Sequence, residues 1–181
     1  MTSWPPPEKS SAITDAEDPG GRPAGGQARL RLAGGDAVAA LIVLEGDTYL
    51  LQHRDDFPGI WYPDHWGCFG GSVDPGEEPL ETLHRELYEE LELEFQDAEY
   101  FTRLDFDLTP LGAGRYYRSY YVVRLSRAEQ TRLVLHEGKE VRAFSGEIVF
   151  RDLRVAPYDA FALFLHHARH RIDAGEGGQT T

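Results

Sequence analysis

Residues 69–93 read FGGSVDPGEEPLETLHRELYEELEL, and this stretch decides the fold. Its second half has a helical period. At 100° per residue with Leu80 at zero, Leu83, Leu87 and Leu91 fall at about 300°, 340° and 20°, one narrow apolar stripe for a core. The pattern predicts a helix over 79–91, with Pro79 suited to its first position. Glu86, Glu89 and Glu90 fall at about 240°, 180° and 280°, so three carboxylates at i, i+3, i+4 share one face beside that stripe. Exposed like charges at this spacing repel by roughly 0.2–0.5 kcal/mol per pair, and by more in drier surroundings, unless a cation neutralises them. An all-oxygen donor set favours a hard ion such as Mg²⁺ or Mn²⁺ over zinc. Arg85, four residues before Glu89, can orient it by a charged hydrogen bond.

A glutamate-rich helix by itself is an ordinary solvated face. The preceding segment, Phe69-Gly70-Gly71-Ser72-Val73-Asp74-Pro75-Gly76-Glu77, changes its meaning. This is a glycine-rich turn after a strand, where the backbone can approach phosphates or offer a carbonyl to a metal. Strand, glycine loop and acidic helix form one compact cation and phosphate site.

Upstream, the aliphatic run Val38 to Leu44, the turn Gly46-Asp47 and Thr48 to Gln52 predict a buried strand hairpin. Residues 53–66, HRDDFPGIWYPDHW, are rich in Pro, Gly and Asp, and predict a loop with ligand-facing aromatics that enters a short strand near Cys68 and Phe69. Downstream, Tyr100 to Leu108 and Tyr116 to Leu125 are aromatic and β-branched around a turn at 110–114, and Lys139 to Phe144 suits one more strand. Among Tyr116, Tyr117, Tyr120 and Tyr121, half are expected to face the core. A second helix is predicted over Tyr158 to Ile172. The class is α/β, a sandwich with a mixed sheet.

The folded part is expected over 29–172, between a Pro/Gly-rich disordered tail at 1–28 and a flexible tail at 173–181. The longest apolar run is Ala37 to Leu44, far short of the roughly 20 residues a membrane helix needs, and no signal peptide is evident, so a cytoplasmic protein is expected. The net charge of −13 argues against coating nucleic acid. Over half of that excess lies between Glu77 and Glu94, where eight glutamates face one arginine. A single cysteine, Cys68, cannot form an internal disulfide.

These residues resemble the Nudix hydrolases, whose signature is a glycine, five residues, a glutamate, seven residues, then R-E-U-x-E-E-x-G-U with U aliphatic. Gly71, Glu77, Arg85, Glu86, Leu87, Glu89, Glu90 and Leu93 stand in that register. One position departs: Glu92 occupies the place of the family's glycine, and a left-handed cap there should cost glutamate on the order of 1 kcal/mol. The resemblance implies a Nudix-like α/β/α sandwich in which Glu86, Glu89 and Glu90 bind Mg²⁺ or Mn²⁺ with the Gly70 carbonyl, while Arg85 and Glu77 support loop and helix. It implies hydrolysis of the pyrophosphate bond of a nucleoside diphosphate linked to another group, a nucleotide sugar or a nucleoside triphosphate. Catalysis would rest on Glu86, Arg85 and Glu90, with Glu86 the first choice of base and Glu137 or Glu140 a further ligand or base. Arg54, beside His53, suits a phosphate, and Trp61, Tyr62 or Trp66 a nucleobase. The expected partner is a small nucleotide, with no membrane or nucleic acid, and a homodimer is compatible with the family. The alternative is a Nudix-like nucleotide-binding or regulatory module without catalysis. An isoprenoid diphosphate isomerase on this scaffold would need Cys68 as its catalytic thiol, which its place beside the sheet core disfavours.

Overall fold

The computed structural model describes residues 36–57, 60–107, 110 and 115–173. The expected tails lie outside this range, apart from residues 29–35 being outside as well and Asp173 being inside, and so does the expected 110–114 turn apart from Pro110. Among these described residues six strands, β1 (Asp36–Val43), β2 (Thr48–His53), β3 (Trp66–Gly67), β4 (Glu99–Asp107), β5 (Arg115–Arg124) and β6 (Glu140–Ser145), form one sheet. The helices are α1 (Pro79–Leu91), α2 (Arg127–Gln130), α3 (Gly146–Arg151) and α4 (Pro157–Asp173). The short α2 and α3 were not expected from periodicity, since helices of four and six residues are too short to display one.

The sheet is mixed. β1 runs parallel to β5 from Asp36↔Tyr117 to Val43↔Arg124, while β4 pairs antiparallel with β5, and β6 with β2. Strand β2 meets the end of β1 at Ile42↔Leu50 and Val43↔Tyr49, then meets β3 at His53↔Trp66. Below that contact the glycine loop takes over as β1's neighbour: the Ala40 and Val38 amides donate to the Phe69 and Gly71 carbonyls at 2.9 Å, and the Val73 amide donates to Asp36 at 2.8 Å.

Side-chain alternation then assigns the two layers. Ala39, Leu41 and Val43 of β1 pack with Tyr120, Val122, Ala162 and Leu163 on the α4 side. Val38, Ala40 and Ile42 pack with Leu83, Leu87, Leu91 and Val123 on the α1 side. Because both faces of β1 are covered, its sequence is a continuous apolar run. The expected α/β/α sandwich is the observed one. Among the described residues no helix is long and apolar enough to cross a membrane.

Helix α1 starts at Pro79, preceded by Glu78, whose amide donates to Glu81 Oε2 at 2.9 Å. It ends at Glu92, in the left-handed conformation (φ 52°) that its replacement of glycine called into question. The turn forms nonetheless. The Leu93 amide donates to the Leu87 carbonyl at 3.1 Å and the Glu92 amide to Tyr88 at 2.8 Å. Two more carbonyls of the last turn, those of Glu90 and Leu91, accept from the His136 and Val134 amides at 2.9 and 3.1 Å, and His136 Nε2 lies 2.8 Å from Glu92 Oε1. The 133–137 segment is thereby bound to the end of the acidic helix.

Candidate active site

Register along α1 sends Leu83, Leu87 and Leu91 into the core with no exposure and leaves the carboxylates at the rim of a pocket. Arg85 organises that rim. Its Nε and Nη2 donate to Glu77 at 3.0 Å each, its Nη1 to Glu86 Oε1 at 2.8 Å and to Glu89 Oε2 at 3.3 Å. Thr82 Oγ1 adds a bond to Glu77 Oε2 at 2.7 Å. The Arg85 guanidinium and the Thr82 hydroxyl hold the Glu77 carboxyl down at about 2.

Glu86 and Glu90 reach deeper. Glu90 is only 6 % exposed, and burial, with the Glu137 and Glu86 charges adding, pushes its pKa up to about 8 against the hydrogen bond from the Gly70 amide at 2.9 Å. Burial raises Glu86 as well, opposed by Arg85. Gly70 sits at φ +130° with its Cα against the Val38 carbonyl, and a Cβ on Gly71 would collide with the Glu86 carboxylate. Only glycines let the strand lie this close to both β1 and the acidic helix.

The pocket is about 630 Å³, the size of small-molecule sites. Of the residues expected in the site, Gly70, Arg85, Glu86, Glu90, Arg54, Trp61 and Glu137 line it. Glu89 does not line it and stands at the exposed rim on Arg85. Glu140 does not join them: it belongs to β6, where Arg142 Nη2 donates to it at 2.8 Å. Trp66 also needs correction as a substrate contact. It is 9 % exposed, stacked on His53 at 4.7 Å and edge-on to Phe144, because pairing with His53 turns it into the α4-side core. Tyr62 lies edge-on to Tyr158 and His65, and His53 Nε2 lies 3.1 Å from Asp64 Oδ1.

Several lining residues were not anticipated. Arg115 and Arg118 come from β5 and Tyr158 from the start of α4, where Asp159 lies 3.4 Å from Arg118. A signal existed in β5: Arg118 shares the parity of Tyr120 and Val122, so a charge occupies a core-facing position. Glu137 reaches the pocket because the next amide but one, that of Lys139, donates to the His53 carbonyl at 2.8 Å, and Gln52 Nε2 donates to the Glu137 carbonyl at 3.0 Å.

As the side chains stand, no three His, Cys, Asp or Glu among the described residues are grouped as metal ligands. Arg85 and the Gly70 amide occupy the carboxylates instead. The donor chemistry nevertheless fits a hard divalent ion: Glu90, a buried carboxylate with a raised pKa, shares its pocket with Asp74, Glu86 and Glu137, whose carboxylates offer oxygen donors alone.

A sandwich with an acidic helix under a glycine loop defines the Nudix class. The NUDIX domain model matches residues 35–171, and the chain belongs to that family as a Nudix hydrolase. Its fold is similar to the MutT protein of Methanosarcina mazei Go1, at 22 % identity over 76 % of this chain and 94 % of that one, TM-score 0.62. It is likewise similar to a mutT/nudix family protein from Listeria innocua, at 18 % identity over 80 % and 98 %, TM-score 0.63. The NUDIX domain of Shewanella oneidensis NrtR, solved with ADP ribose, matches at 19 % identity over 76 % and 87 %, TM-score 0.58. Among curated proteins none matches.

Proposed function

We propose that this protein is a Mg²⁺-dependent pyrophosphohydrolase, with Mn²⁺ able to substitute, acting on a nucleoside diphosphate linked to another group, a nucleotide sugar or a nucleoside triphosphate. The observation that carries the reading is Glu90, a buried carboxylate whose pKa is pushed up to about 8 in one pocket with Glu86 and Glu137. Glu86, Glu89 and Glu90, with the Gly70 carbonyl, would hold the metal. Bound there, such an ion supplies neutralisation of phosphate oxygens and a lower pKa for a coordinated water. Arg85 orients Glu86 and Glu89 from one guanidinium. Glu86 is assigned as the base that takes the proton of the attacking water, with Glu137, in the same pocket, as the further base or ligand. Arg54 binds phosphate and Trp61, 45 % exposed, stacks on the base. A small nucleotide is the partner, and nucleic acid and membrane are not.

Product analysis after incubation with Mg²⁺ and a panel of nucleoside triphosphates, nucleotide sugars, ADP-ribose and dinucleotides tests this. Metal-dependent cleavage of one class, abolished by Glu90→Gln, is the expected result. If no compound is cleaved while one raises the melting temperature, the chain is a binding module.

A further inference from the structure

One part of the pocket carries more positive charge than its own carboxylate neutralises. Arg118 from β5 and Arg54 at the end of β2 both approach Asp159 of α4. Asp159 is 1 % exposed and already engaged: its Oδ2 accepts from the Cys68 amide at 2.8 Å and its Oδ1 from the Tyr120 hydroxyl at 3.2 Å. Arg118 Nε lies 3.4 Å from that same Oδ1, near enough for an ion pair but without hydrogen-bond alignment, so this buried donor has no partner among the described residues. The guanidinium is held over the Tyr158 ring at 5.1 Å, which restricts its plane.

Arg54 is drawn to the same place. A Cβ on Gly67 would lie 3.0 Å from Asp159 Oδ2 and 3.5 Å from Arg54 Cδ, so the bare backbone at residue 67 gives room for the Arg54 stem. Its Nε donates to the Trp61 carbonyl at 3.0 Å, and among the described residues it has no ion pair with a carboxylate. Arg115, the other β5 arginine of the pocket, is neutralised by Asp107 at 2.8 Å. Among the described residues, the one carboxylate in ion-pair contact with this pair of guanidiniums is therefore Asp159, whose oxygens are already bonded, while the Glu90 charge acts on Arg118 from farther off. Positive charge held in this way, with Arg118 buried and Arg54 part-buried, is stabilised by an anion, and the planar fork of arginine matches phosphate and carboxylate.

We propose that Arg118 and Arg54, braced by Asp159, form an anion subsite in this pocket distinct from the acidic helix. Its consequence for substrate class, which rests on the hydrolase reading above, is a nucleotide bearing a further phosphate or carboxylate beyond the diphosphate that is cleaved. A substrate ending in a neutral sugar leaves the subsite's charge unmatched.

The test is calorimetric titration of the full chain, with chelator present and no divalent metal, using inorganic phosphate, D-glucuronate and, as the neutral control, D-glucose. At least one of the anions binds and glucose does not, and which anion binds names the group. Arg54→Gln weakens that binding at least about tenfold, and Arg118→Lys, which keeps the charge but loses the fork, weakens it several-fold. Glu86→Gln leaves it equal or tighter, since it removes a repelling charge from the same pocket. Absence of anion binding by the unmodified chain, or binding undiminished in Arg54→Gln, overturns the proposal. Arg54 is partly exposed, so that variant keeps the test decisive if Arg118→Lys fails to fold. Because neither metal nor turnover enters, failure here leaves the hydrolase reading standing, and an inactive enzyme that binds phosphate this way counts against the hydrolase reading alone.

Discussion

Arg85 grips Glu77 with two bonds, Nε to Oε1 and Nη2 to Oε2, both 3.0 Å, and this fork ties the glycine loop to the acidic helix. The same guanidinium holds Glu86 and Glu89. Lysine cannot reproduce the fork. Arg85→Lys and Glu77→Gln are each expected to lower turnover about 10–100-fold, as loss of an orienting partner does at metal sites. Because both act through one contact, the double variant should cost less than the two losses combined. Steady-state kinetics on the three variants checks this, and full additivity would refute a shared role.

Gly71→Ala inserts a methyl group where the Glu86 carboxylate stands. Glu86 must turn away, so the Mg²⁺ concentration for half-maximal rate is expected to rise by about tenfold or more. Measuring rate against Mg²⁺ decides it. An unchanged metal requirement would remove Glu86 from the ligand set.

Glu90 makes stability depend on pH in the metal-free chain. Its carboxyl titrates at about 8 in the fold against an ordinary value of 4.5, so the native state holds a proton that the unfolded state has released. The stabilisation is present in full below the ordinary value and is lost as pH rises through about 8, at up to roughly 1.4 kcal/mol per pH unit between. Melting temperature without metal should therefore fall from pH 5 to pH 8 more steeply in the unmodified chain than in Glu90→Gln. Added Mg²⁺ should recover stability at pH 8 only where Glu90 is present. The variant should also lose turnover by at least about 100-fold.

Glu92→Gly tests the departure from the family signature. Glycine adopts the φ of 52° without strain, worth about 1 kcal/mol, while the exposed contact to His136 at 2.8 Å that it deletes is worth about 0–1 kcal/mol. A neutral to slightly raised denaturation midpoint is expected. A marked loss of stability would mean that the His136 contact, not the backbone turn, secures the 133–137 segment.

The amino-acid sequence by itself determined the acidic helix to its end residues, the glycine loop and the strand pattern on either side. Helical period, the proline at its start and the continuous apolar run of β1 are local, so each can be read without knowing its neighbours. Membership of the metal-site candidates on α1 followed from the same periodicity. Glu137 and Glu140 are alike in sequence, yet only Glu137 lines the pocket, because backbone bonds from His136 to Glu90 and from Lys139 to His53 set where that turn lies. Trp66 reads in the sequence as a loop aromatic suited to a nucleobase or to packing at the sheet edge, and its pairing with His53 puts it into the core. The basic group of Arg54, Arg118 and Asp159 was decided only by tertiary structure, since it unites the end of β2, the middle of β5 and the first turn of α4. Residues over a hundred positions apart meet there through strand register and helix docking, and long-range pairing leaves no local period to read.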